Sequence, residues 1–143
     1  MDDAKAEVRA AALEVLAQVA APGSAQALKA VVGRLVDESQ QVREAAVQAL
    51  AQVAGAKADA QSIAAVAELL ENKSQDVRRT AVLALGHVAQ KGDEQACAAA
   101  AALAKHQNAG VRRTALDALR AVSQKGAKAT TSAVAACLED EDD

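Results

Sequence analysis

The segment Asp76-Val77-Arg78-Arg79-Thr80-Ala81-Val82-Leu83-Ala84-Leu85 returns in near-copies along the whole chain, and this recurrence limits the available folds more than any other feature. The copies open at Val8-Arg9, Val42-Arg43, Val77-Arg78 and Val111-Arg112, at steps of 34, 35 and 34 residues. A fixed period in that range marks stacked repeats, in which each unit buries its apolar face by packing on its neighbours. Three apolar columns run through the copies: Leu13, Val47, Val82 and Leu116; then Leu16, Leu50, Leu85 and Leu119; then Val19, Val53, Val88 and Val122. Within the first copy apolar residues fall at 8, 11, 12, 13, 15, 16 and 19, with Arg9, Glu14 and Gln18 opposite. That is a broad stripe at helical period, so each copy opens with an amphipathic helix A.

A second helix, B, follows in every repeat. Ala21-Pro22-Gly23-Ser24 ends the first A helix with the only proline of the chain, and Ser24 can cap a B helix reaching Leu35 with Ala25, Leu28, Val31, Val32 and Leu35 on its buried face. Gly55 to Ala58, Lys91-Gly92-Asp93 and Lys125-Gly126 are the matching turns, and the second B helix resumes near Asp59 with Ile63, Val66, Leu69 and Leu70 apolar. Ser39, Ser74 and Asn108 each lie three residues before the next Val-Arg start. Side-chain oxygens there can accept an otherwise unpaired N–H of the first turn, which is worth about 1 kcal/mol each. The spacing predicts A helices over about 74–89 and 108–124, and B helices ending near Lys105 and Leu138.

Composition narrows the class further. Aromatics are absent and alanine makes up about 30% of residues, well above ordinary usage. Alanine has the highest helix propensity and lets helix axes approach to the short end of the usual spacing, so an all-α fold with a thin, tightly packed core is expected. No alternating β-branched run is bounded by turn pairs. The net charge of −3, with both signs interspersed, does not single out a nucleic-acid or membrane partner. No leader pattern precedes the first repeat and no apolar run is long enough for a bilayer, so a soluble, cytoplasmic chain is expected. Cys97 and Cys137 stand alone in alanine-rich text, which argues against a disulfide framework.

Two helices per repeat, the polar turn residues Asp37 and Asn72, the Asp76-Val77-Arg78 start and the Ala/Leu ladder together resemble HEAT repeats, notably the short HEAT-like kind also seen in phycobilisome lyases. The resemblance covers essentially the whole chain. Tetratricopeptide repeats share the period but need Trp, Tyr and Phe positions, and ankyrin repeats need a Thr-Pro-Leu-His box; neither is present. The departures from HEAT are the missing proline in helix A and the missing aromatics. The expected architecture is a right-handed α-α superhelix of about four HEAT-like helix pairs: one repeat domain over 1–143, with repeats at about 2–35, 36–70, 71–104 and 105–139 and an acidic tail at 140–143.

Candidate chemistry is sparse. His87 falls in the column of Gln18, Gln52 and Ala121, pointing away from the core, and His106 falls in the turn column of Asp37 and Asn72. Neither has a second ligand at i+4 or an acid-base partner beside it in sequence. Iron-binding HEAT-like hydroxylases carry His-Glu pairs, of which this chain has none, so that activity is not carried over. Cys97 and Cys137 read as small buried hydrophobes, Cys137 in the column of Leu69 and Leu103; only Cys97, near a helix start, lies where a thiolate could be favoured. No catalytic, cofactor or metal site is expected, and the chain is not expected to be an enzyme. Arg9, Arg43, Arg78 and Arg112, doubled by Arg79 and Arg113, form a column that either ties neighbouring modules together through Asp and carbonyl groups of the turns or tracks phosphates of a nucleic acid. Net acidity and the lack of stacking aromatics favour the first reading.

Function is therefore expected in a surface. The resemblance places B helices on the concave side, exposing Gln26, Lys29, Gln61, Glu68, Glu94, Gln95 and Lys128, a polar set suited to a scaffold or adaptor for an unidentified protein partner. Tight-binding hot spots are usually Trp, Tyr or Arg, so modest affinity follows. The alternatives are a lyase-type assistant of chromophore attachment and a phosphate-backbone binder. The first A helix keeps its apolar columns, and the last B helix keeps Val134, Ala135 and Leu138 where a further module would dock. The chain thus reads either as a section of a longer array or as one whose ends pair with other copies.

Overall fold

The computed structural model describes residues 3–55 and 59–139. Asp2, most of the Gly55–Ala58 turn and the acidic tail 140–143 lie outside the described residues. Within the described residues eight α-helices follow one another: α1 (Asp3–Val19), α2 (Ala25–Val32), α3 (Gln40–Val53), α4 (Ala60–Glu68, continued by a 3-10 turn at Leu69–Glu71), α5 (Gln75–Val88), α6 (Glu94–Leu103), α7 (Ala109–Val122) and α8 (Lys128–Leu138). Among the described residues there is no strand. The odd helices are the A layer and the even helices the B layer of an α-α solenoid.

The order of packing explains the columns. Each A helix lies along the next A helix, each B helix along the next B helix, and α2, α4 and α6 nest against the A helix that follows them, α3, α5 and α7. The core is therefore one continuous seam. Its largest fully buried side chains are Leu28, Leu35, Leu50, Leu70, Leu85 and Leu119, with Val31, Val42, Val53, Val66 and Val122, each worth roughly 1.5–3 kcal/mol over exposure. Alanines at A-to-A contacts, Ala46, Ala81, Ala115, Ala49, Ala84 and Ala118, are buried completely or nearly so, because nothing larger fits between close helix axes.

Several expectations need correction. The third column is buried at Val53, Val88 and Val122, but Val19 is exposed, since within these residues α1 has no preceding module to cover that flank. The stripe also weakens at Leu16, Val82 and Leu116, which are half-buried. Helix α2 stops at Val32, short of Leu35. The chain tightens there through i-to-i+3 bonds from Arg34 N–H to Val31 O and Leu35 N–H to Val32 O, which still deliver Leu35 to the core. In the same helix Ala27 is buried where the sequence pattern points to Ala25. Helix α6 likewise ends at Leu103, ahead of Lys105. Ser74 and Asn108 do cap, accepting from Val77 N–H at 3.5 Å and Val111 N–H at 3.2 Å, whereas the Ser39 side chain makes no cap bond.

The A-to-B turns carry a junction of their own. Gly23 and Gly92, both at positive φ, donate their N–H groups to Val53 O (2.7 Å) and Val122 O (2.6 Å), the last carbonyls of the next A helix. A glycine takes this left-handed backbone at no steric cost. Lys91 and Gln124 reinforce the third-to-fourth junction, with Gln124 Nε2 donating to Lys91 O at 3.0 Å and Lys91 Nζ to Arg120 O at 3.4 Å.

Candidate interaction surface

The arginine column sits at the edge between the layers, where the B-to-A turns need donors. Arg43 Nη1 donates to Asp37 O (2.7 Å) and Glu38 O (3.0 Å); Arg78 Nη1 to Asn72 O (2.8 Å) and Lys73 O (3.1 Å); Arg112 Nη1 to His106 O (2.8 Å) and Gln107 O (3.0 Å). In all three the carbonyls lie six and five residues upstream, so one guanidinium seals the turn that opens its own module. Arg9 and Arg78 also reach the next module, Arg9 to the carboxylate of Asp37 and Arg78 through Nε to Thr114 Oγ1 at 3.3 Å. Arg43, Arg78 and Arg112 are buried, while Arg79 and Arg113 are exposed.

The turn residues share one geometry. Asp37 Oδ1 accepts Ser39 N–H (3.0 Å), Asn72 Oδ1 accepts Ser74 N–H (2.9 Å), and His106 Nδ1 accepts Asn108 N–H (3.0 Å). A neutral imidazole that accepts at Nδ1 carries its proton at Nε2, and that atom faces Glu71 Oε2 at 4.0 Å. The structure thus gives His106 an acidic neighbour that lies 35 positions away in sequence, in a site that serves the turn. His87 is exposed on α5. The Asp37 carboxyl is held below its ordinary value by the Arg9 hydrogen bonds above all. The Ser39 N–H and the charges of Arg9 and Arg34 add to this, against the upward push of burial. Asp59, which caps α4 by accepting Ser62 N–H at 2.6 Å, is lowered too, by that backbone bond and the Ser62 side chain.

On the B layer, all seven candidate binding residues are exposed. Between α2 and α4 lies a groove of about 530 Å³ lined by Gln26, Lys29 and Gln61 together with Val32, Asp59 and Ala65. Between α4 and α6 a shallower one of about 260 Å³ takes in Glu68 and Gln95, with Glu71 and Leu103. Glu94 and Lys128, at the starts of α6 and α8, stand outside these two grooves. Gln95 also ties α6 to the start of α4, its Nε2 donating to Ala60 O at 3.0 Å. Glutamine types alone could not show this; the signal is a polar residue placed one period beyond a helix N-terminus.

A family model for HEAT repeats matches residues 1–86 and 63–143, which together span the sequence. The chain belongs to the HEAT-repeat family. A search of curated proteins finds no match. In HEAT terms, each helix pair is one module, and the sealing arginine stands at the start of its A helix. The cysteines of these HEAT modules are free and half-buried rather than fully buried. Cys137 Sγ lies 3.5 Å from Ala104 O, and Cys97 Sγ lies 3.8 Å from both Val122 O and Ser123 Oγ. Among the described residues no group of three or more His, Cys, Asp or Glu side chains could hold a metal ion, and no helix is long and apolar enough to cross a membrane.

Proposed function

We propose that this HEAT-repeat chain is a non-enzymatic scaffold that binds a protein partner along the exposed face of its B helices. The observation that carries the reading is the pair of successive grooves between α2, α4 and α6, which take in five of the seven exposed polar candidates, Gln26, Lys29, Gln61, Glu68 and Gln95. The alanines with Val32 and Leu103 among the lining residues let a partner segment lie close to the helices, while Lys29 and Asp59 in one groove and Glu68 with Glu71 in the next give charges for register. Without Trp or Tyr on this face, affinity is modest. We place the chain in the cytoplasm, in keeping with its two free thiols. Its flanks are a further place for a protein partner, another copy included.

The phosphate-binding reading loses its main support, because Arg43, Arg78 and Arg112 commit their guanidinium groups to turn carbonyls. Binding to nucleic acid that weakens with added salt would revive it, and an absorbance change on titration with a bilin would favour the lyase-type alternative. The test of the scaffold reading is affinity capture with the full chain, comparing Lys29→Glu/Glu68→Lys on the B layer with Arg79→Glu on the A layer. The expected result is partners lost with the B-layer variant and kept with the A-layer variant. The reverse pattern overturns the assignment of the face.

A further inference from the structure

The two flanks of the solenoid expose the same columns that every internal junction buries. On the A helices the column of Val8 holds Val42, Val77 and Val111; that of Ala12 holds Ala46, Ala81 and Ala115; that of Val15 holds Ala49, Ala84 and Ala118; and that of Val19 holds Val53, Val88 and Val122. All twelve internal members are 7% exposed or less, yet Val8, Val15 and Val19 are 69%, 56% and 72% exposed, and Ala12 is exposed beside them. The B helices mirror this at the other flank. Val31, Val66 and Ala100 share a column with Val134, and Leu35, Leu70 and Ala104 share one with Leu138. The internal six are 4% exposed or less, while Val134 is 38% and Leu138 82% exposed.

These two sets are the halves of one contact. The B columns are buried where α2, α4 and α6 nest against the following A helix, and α8 has no such helix among the described residues. The A columns are buried where a preceding module lies, and α1 has none among the same residues. We propose that the α1 flank of one copy docks on the α8 flank of a second copy, continuing the internal junction from chain to chain. The partner is a second copy because the missing half of each flank, in residue type and spacing, is what the opposite flank carries. Such a contact joins two different surfaces, so it is heterologous and grows into open chains. Val15 stands where the internal modules have alanine, so this junction is wider than those inside the chain and forms with increasing concentration. The inference is independent of the B-layer groove reading, which concerns another face.

Sedimentation of the full chain over a wide concentration range, with Val15→Lys and Leu138→Lys, tests it. Wild type is expected to gain mass steadily with concentration, and each variant alone to stay monomeric. An equimolar mixture of the two variants is expected to stop at a dimer, since one intact flank of each kind remains. A wild type that is monomeric throughout overturns the proposal, as does a single variant that associates by itself, or a mixture that forms no dimer. Both positions are exposed, and circular dichroism checks that helix is retained; Val19→Lys with Val134→Lys is the second pair should either variant unfold.

Discussion

Arg9 clamps the carboxylate of Asp37 across 28 residues of chain, Nε to Oδ2 and Nη2 to Oδ1, each at 2.9 Å, in the parallel geometry that favours arginine over lysine. The Asp37 side chain is buried at this junction and Arg34 approaches it at 3.5 Å. Asp37→Asn is therefore expected to destabilise by roughly 1.5–3 kcal/mol in urea unfolding, the scale of a hydrogen bond to a charged group. Because folding lowers the Asp37 pKa from its ordinary 3.8, its contribution is fully present above about pH 4 and is lost as pH falls through the folded value. Asp37→Asn will accordingly show a shallower loss of stability on acidification than wild type. Equal slopes below about pH 4 would remove Asp37 from the acid response.

Arg78→Ala leaves two turn carbonyls and Thr114 Oγ1 without their buried donor. A loss of about 2–3 kcal/mol is expected, read as a lower melting temperature. Thr114→Val removes the bond from Arg78 together with the one Thr114 Oγ1 donates to Gly110 O at 2.9 Å, keeps Arg78 on its turn carbonyls, and is expected to cost about 1 kcal/mol. Unchanged melting of Arg78→Ala, together with loss of nucleic-acid binding at low salt, would return the column to phosphate recognition.

Gly92 and Gly126 separate two effects that a turn glycine combines. Both have positive φ, +84° and +85°, but a Cβ on Gly92 would meet Gln124 Cδ at 2.7 Å, whereas one on Gly126 would meet nothing within 4 Å. Either alanine substitution incurs the left-handed backbone penalty of about 1 kcal/mol. At Gly92 the Gln124 side chain must also swing away and give up its bond to Lys91 O. Thermal unfolding is expected to rank Gly92→Ala below Gly126→Ala by a further 0.5–1.5 kcal/mol or so; equal losses would mean that this bond contributes nothing.

Leu83 lies exposed on α5, in a column otherwise held by Glu14, Gln48 and Asp117, beside Glu44 and Arg79. Leu83→Gln is expected to change stability by less than about 0.5 kcal/mol, as ordinary surface substitutions do. A loss of several kcal/mol in denaturant titration would place the side chain in a packed interface.

The A helices were legible because polar caps and a wide apolar stripe mark both their ends and their buried side; the expected 108–124 became Ala109–Val122. The B helices were less so. In alanine-rich text burial and exposure use the same residue, and only packing decides that Ala27 is covered and Ala25 is not. Ser39 makes no cap bond although Asp37 accepts its N–H just as Asn72 accepts that of Ser74, which does cap, a difference that residue types alone leave open. At the candidate surface, the resemblance pointed to seven polar residues of the B helices, and all seven are exposed. It could not show that Gln95 is committed to Ala60 O, or that His106 meets Glu71, since both contacts join residues 35 positions apart through the stacking itself.

The bonds from Gly23 to Val53 O and from Gly92 to Val122 O join neighbouring modules through main-chain atoms alone. Beyond a residue that tolerates left-handed backbone, they require no particular side chain on either partner. What these two bonds demand of the next module is a helix end at the right height, and that demand does not reach the outward-facing residues. Exposed positions can thus diverge from module to module, as Glu14, Gln48, Leu83 and Asp117 already do, and a duplicated module carries its own coupling with it.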